Sequence, residues 1–122
     1  MATNDSCVSI SPYFAIKDGA LEQVRAYLPQ FVEMTQSEPG CLYYGFTLNG
    51  NDLHCREGYA NAEGALAHLE NVGELLGEFM GAGIVELTSP QVHGPERELA
   101  KLRGPMADLN AEYWVLEHGF RN

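Results

Sequence analysis

The sequence predicts an α+β domain in which an antiparallel sheet carries two helices on one face. Three observations predict it. A hairpin is written into residues 41–59, CLYYGFTLNGNDLHCREGY, where Asn49-Gly50-Asn51-Asp52 supplies residues that accept positive φ between two runs rich in aromatic and aliphatic side chains. Two stretches, Leu21 to Val32 and Ala65 to Phe79, space their apolar residues three and four apart, as amphipathic helices do. Alternating segments, Cys7 to Ile16 and Ile84 to His93, read as the remaining strands. The order β-α-β-β-α-β is the ferredoxin-like split βαβ arrangement. A helix and a strand follow it as a C-terminal extension, with residues 7–93 as the core and 94–122 as the extension of a single domain.

Each element has a local reason. In the first strand Val8, Ile10, Phe14 and Ile16 share one side, and Pro12, which has no N–H for a ladder, predicts a bulge or an edge. Asp18 is placed to cap a helix from Gly19, and Pro29 to kink it. Ser37-Glu38-Pro39-Gly40 closes that helix. Asn61 caps the second, which Gly73 is placed to divide and Gly81-Ala82-Gly83 to end. The fourth strand is interrupted at Pro90. Pro95 opens a short charged helix, Glu96 to Arg103, and Glu112 to Phe120 forms a last strand that extends the sheet or clasps a partner.

Charge and composition narrow the function. Of 122 residues, seventeen are acidic and seven basic, a net charge of −10. Such a chain repels nucleic acid and anionic membrane, so neither is expected as a partner. Three cysteines at no metal-type spacing suit reduced thiols in the cytoplasm. The N-terminus has no signal-like run, and no apolar stretch approaches a membrane span. The four histidines are scattered, and phosphate-loop, dinucleotide and serine-nucleophile motifs are absent, so no metal or cofactor is expected.

With a two- or four-residue turn, alternation puts Leu42, Tyr44, Phe46, Leu48, Leu53, Cys55, Glu57 and Tyr59 on one face of the hairpin. Cys41, Tyr43, Gly45, Thr47, His54, Arg56 and Gly58 take the other. The first face is apolar except for one carboxylate and two phenols. A buried carboxylate needs a partner or a purpose. His68 lies in the apolar arc of the second helix beside Val72, Leu75 and Phe79, so packing that helix on this face brings an imidazole to Glu57. Glu57 and His68 are therefore the candidate catalytic pair, with Tyr44, Tyr59, Phe79 and Cys55 as candidate substrate-binding residues. The alternative is a core histidine and a core glutamate that satisfy each other. Tyr43, Thr47, His54 and Arg56 are expected at a dimer contact, since Arg and Tyr are enriched in interfaces.

Glu38-Pro39-Gly40-Cys41-Leu42 closing a helix, a strand ending in Glu57-x-Tyr59, and Ala62-Glu63…Ala67-His68-Leu69 together resemble the antibiotic biosynthesis monooxygenase (ABM) family. The likeness covers roughly residues 7 to 93. It implies a dimeric α+β barrel, hence a homodimer, and a cofactor-independent monooxygenase acting on a small aromatic or quinol-type molecule held between sheet and second helix. A non-catalytic small-molecule-binding module and an isomerase or lyase using the same pocket are the alternatives. Where anthrone-type oxygenases carry Asn, Trp and Tyr, this chain has Cys55, Tyr59 and Ala65. It also has no histidine in the last turns of helix two, where haem-degrading relatives carry their ligand.

Overall fold

A computed structural model describes residues 4–122. The first strand is parted at Pro12 into β1 (Val8–Ser11) and β2 (Tyr13–Ile16), and helix α1 (Leu21–Gln36) follows. The hairpin is β3 (Cys41–Asn49) and β4 (Asp52–Tyr59), leading to helix α2 (Ala62–Gly81). The next strand is parted around Pro90 into β5 (Val85–Leu87) and β6 (Gln91–Gly94). A short helix α3 (Glu96–Leu99) and β7 (Glu112–Val115) complete the chain.

The β1/β2 strand lies between β4 and the β5/β6 strand, and β3 pairs β4 on its free edge. This is the predicted ferredoxin-like order. β7 adds to β6 in parallel, which makes the predicted antiparallel sheet mixed. The register of β1/β2 on β4 is continuous through Pro12, from Ile10↔Glu57 to Tyr13↔His54. Pro12 still accepts a bond from Cys55 N (3.3 Å), so one contact of the ladder survives. On the other side the register slips by one, from Ser11↔Gln91 to Phe14↔Leu87. The two prolines thus mark a loosened seam in the middle of the sheet.

Helix α1 starts later than Asp18 would set it. Lys17 to Ala20 form a turn with Gly19 at φ 78°, the N-cap is Ala20, and no side chain caps the helix. It runs through Pro29 without ending. Asn61 caps α2 as expected, accepting from Gly64 N (2.9 Å). Gly73 does not divide α2, because its apolar stripe stays packed on both sides of that residue, at Ala65 and His68 before it and Leu75 and Phe79 after it. Helix α3 stops short of Arg103, at Leu99, beyond which the chain continues in turns with bonds such as Lys101 N to Glu98 O and Leu102 N to Leu99 O. β7 ends at Val115 because its partner β6 ends at Gly94, ahead of Pro95.

The hairpin register pairs Tyr44 with Glu57, Phe46 with Cys55 and Leu48 with Leu53, as alternation predicts. A bulge between Cys41 and Tyr43 reverses the parity at the start of β3. Cys41 therefore packs with the helix-side core, while Leu42 is exposed.

That core is in two parts. One is built from Phe14, Val24, Phe31, Leu53, Val72 and Phe79. The other joins Val8, Ile10, Tyr59 and Ala65 to Leu99, Leu102 and Met106 of the extension. The extension is latched to α2 by Glu98, a buried carboxylate that accepts from Ala62 N (2.9 Å) at the helix N-terminus. The loop before β3 crosses α2 where both chains carry glycine. A Cβ on Gly40 would lie 2.9 Å from the Gly64 Cα. Gly40→Ala is expected to cost about 1–3 kcal/mol in chemical denaturation, the usual penalty of overpacking. Gly73→Ala, exposed and with open space at its Cβ, is expected to stabilise by up to about 1 kcal/mol through helix propensity.

Candidate functional site

Between the two core clusters lies a cavity of about 100 Å³. Its walls come from β1/β2 (Ile10, Phe14), the hairpin (Phe46, Cys55) and α2 (Leu69, Val72). Its polar atoms are few, and Glu57, His68, Tyr44 and Cys55 supply the ionisable groups.

Strand alternation points Glu57 inward from β4, and the helical stripe points His68 inward from the second turn of α2. They are 6% and 3% exposed, so both have left water. His68 Nε2 stands 3.6 Å from Glu57 Oε1. That is too long for a direct hydrogen bond, but a single oxygen atom fits at about 2.8 Å from both.

Each is held from behind. Tyr59 donates to Glu57 Oε1 at 2.6 Å. Cys55 also hydrogen-bonds Glu57, and Tyr44 hydrogen-bonds Cys55 and Thr35. His68 sits between the rings of Tyr44 (5.1 Å) and Tyr59 (5.2 Å). Its Nδ1 meets Glu38 Oε2 at 2.9 Å, and Asn71 donates to the same carboxylate at 2.8 Å. A carboxylate oxygen accepts, so the Glu38 contact calls for a hydrogen on Nδ1 and leaves Nε2 as the ring nitrogen that faces Glu57.

Burial raises the pKa of Glu57 and outweighs the opposing pull of His68 and the bonds from Tyr59 and Cys55, with Glu38 adding a further push upward. Burial, reinforced by Glu57, also raises Tyr59 far above the ordinary phenol range and Cys55 far above that of a thiol, so neither is an anion at neutral pH. The same holds for Tyr44, through burial first and then Cys55 and Glu57. The compartment contains one reluctant carboxylic acid, one oriented imidazole, and neutral hydrogen-bond donors around them.

The expected pair, Glu57 and His68, is thus brought together, with Tyr44 and Cys55 on the cavity wall. Tyr59 supports Glu57 from outside that wall. Phe79 packs edge-on against Phe14 (5.6 Å), Tyr27 and Phe31 in the core behind it. Glu38 was not anticipated as a chemical group. A signal for it existed: it follows the C-terminus of α1, where the helix dipole disfavours a carboxylate and the last turn holds no basic residue. An acid in that place needs a partner, and His68 is the partner. Among the described residues no cluster of three or more His, Cys, Asp or Glu is arranged to hold a metal ion, and no helix is long and apolar enough to cross a membrane.

This architecture is that of the small ABM-like α+β proteins. A putative antibiotic biosynthesis monooxygenase from Chloroflexus aurantiacus J-10-fl superposes with a TM-score of 0.59 at 21% identity, over 74% of this chain and 93% of its own. A Bacteroides thetaiotaomicron protein described as a possible oxidoreductase gives 0.63 at 15%, over 72% and 96%. MupZ from Pseudomonas fluorescens is far nearer, with a TM-score of 0.94 at 42% identity over 100% of this chain and 94% of its own. The chain belongs to the family of MupZ. No protein-family model and no curated protein matches it.

A raised carboxyl pKa carries a sign for stability. The folded state holds the Glu57 proton more tightly than the unfolded chain does. Its contribution is therefore fully present below the ordinary carboxylate pKa of about 4.3 and is lost as pH rises toward the folded value. The stability of the natural chain relative to Glu57→Gln, measured by urea denaturation, is expected to fall steadily as pH rises from about 4. A flat difference between about pH 4 and about pH 8, roughly the span from ordinary to strongly raised carboxyl values, contradicts the raised carboxyl pKa.

Proposed function

We propose that this chain is an acid–base enzyme that needs no bound cofactor and acts on a small, largely hydrocarbon molecule bearing a reactive oxygen. His68 is the base: its Nε2 takes a proton from the substrate while Glu38 steadies the imidazolium that forms. Glu57 is the acid: kept neutral by burial, it gives a proton to the substrate oxygen or to the carbon that must receive one. The tyrosine and thiol hydrogen bonds then receive the carboxylate it leaves. The proton taken and the proton given balance, so the net change is an isomerisation, or an elimination when the substrate carries a leaving group. The observation that carries this reading is the 3.6 Å spacing of two buried ionisable groups that meet in one cavity from the sheet and helix walls. Structural pairing alone accounts for it less well, because a pair that served only each other would close to hydrogen-bond distance.

A second reading has its own support. The ABM-like fold, and a neighbour described as a possible oxidoreductase, favour monooxygenation of an aromatic or quinol-type substrate. There the same base would form a substrate carbanion that reduces O₂ directly. The aromatic side of the cavity, Phe31, Tyr44 and Phe46, suits such a ring. The two readings part on oxygen. With a panel of anthrones, hydroquinones and unsaturated cyclic ketones in D₂O, the acid–base reading expects deuterium in recovered substrate or product without O₂ uptake. Stoichiometric O₂ uptake supports monooxygenation. For any substrate turned over, His68→Ala and Glu57→Gln are each expected to lower kcat by about 10²–10⁴-fold; unchanged rates in both remove the pair from the chemistry.

Two copies of the chain are proposed to pair through the sheet face opposite the helices. Tyr13 and Tyr43 are each more than a third exposed, and the buried His54 Nε2 has no hydrogen-bond partner among the described residues. Burial there lowers the pKa of His54, which makes it a neutral, packable group. Light scattering at micromolar concentration is expected to give twice the chain mass, and a monomer contradicts the pairing.

A further inference from the structure

The segment after β6 has no place in the ferredoxin-like frame, yet it reaches the cavity. Met106 and Leu109 both line it, on the side formed by the second core cluster. Met106 is 1% exposed and packs with Leu99 and Leu102, so its position is set by the whole segment. That segment is fixed to the helix that carries His68. Glu98 bonds the first turn of α2 at Ala62 N, and Lys101 bridges Glu98 (3.3 Å) to Glu63 (3.2 Å). β7 ties its far end into the sheet beside β6. The segment is therefore a wall anchored at both ends.

The Chloroflexus and Bacteroides proteins match 74% and 72% of this chain, leaving more than a quarter outside the common fold, whereas MupZ matches all of it. In a fold without this wall, Ile10 and Leu69 would lose the neighbours that now cover them.

We propose that the C-terminal segment is the specificity element of this protein, and that Met106 and Leu109 set the size limit for the hydrocarbon body of the molecule whose oxygen lies between Glu57 and His68. Calling that molecule a substrate rests on the acid–base reading above; the size limit itself does not. The two side chains present only hydrocarbon and thioether to the cavity, so they select by bulk and not by charge. Leu109 is half-buried and joins the cluster from its rim, which makes it the position where volume can change while the fold is kept.

The test uses para-alkylphenols of increasing tail length, with binding followed by calorimetry to the full chain and to Leu109→Ala, Leu109→Phe and Glu57→Gln. Leu109→Ala is expected to admit longer tails than the natural chain and Leu109→Phe only shorter ones. Glu57→Gln is expected to leave the cut-off where it was, even where it abolishes turnover. The same cut-off in both Leu109 variants, or no binding of any member to any of the proteins, overturns the proposal. A shifted cut-off together with unimpaired turnover in Glu57→Gln overturns the acid–base reading and leaves the size limit standing.

Discussion

The arrangement turns on the cost of placing one carboxyl group, that of Glu57, in a compartment with almost no water. An ionised carboxylate there would need compensation worth several kcal/mol, and the protein supplies it only in part. Tyr59 donates at 2.6 Å, Cys55 adds a weaker bond, and His68 stands just beyond contact. Burial outweighs them, and the carboxyl pKa is raised. Much else in the fold serves that balance. The hairpin register aims Glu57 inward, the unbroken α2 holds His68 opposite it, and the Gly40–Gly64 crossing seats the loop from which Glu38 reaches the imidazole.

The cavity exists because the core does not close over this pair. Apolar side chains gather into two clusters, and the sheet is loosened along their boundary by Pro12 and Pro90, both of which line the cavity. A continuous core would have buried the pair against hydrocarbon with no room for a ligand. Packing and chemistry are linked here through two residues that cannot complete a β-ladder. The C-terminal segment then bounds the opening from the second cluster.

Much of this was legible from residue order. The Asn49-Gly50-Asn51-Asp52 turn determined the hairpin register, and with it the faces of Tyr44, Cys55 and Glu57. Helical spacing alone was enough to place His68 against them. What could not be read depended on contacts far apart in the chain. The bulge that exposes Leu42 arises where β3 leaves the Gly40–Gly64 crossing, a packing event that no local pattern reports. Glu38 and His68 meet across 30 residues, and only the awkward charge at the end of α1 hinted at it. Phe79 was assigned to the pocket because it shares a stripe with His68; it lies about three turns further on, among other rings of the core. The parallel placement of β7 and the latch at Glu98, an exposed-looking acid in sequence that is buried in the fold, both depend on long-range contacts.

The protonation state of Glu57 can be read directly. Carbon-13 NMR of the glutamate side-chain carboxyls, with the Glu57 resonance assigned by its loss in Glu57→Gln, follows that one group as pH is raised. The account predicts a carboxyl still protonated well above the range in which the surface glutamates have titrated. A Glu57 carboxyl that ionises along with them contradicts it.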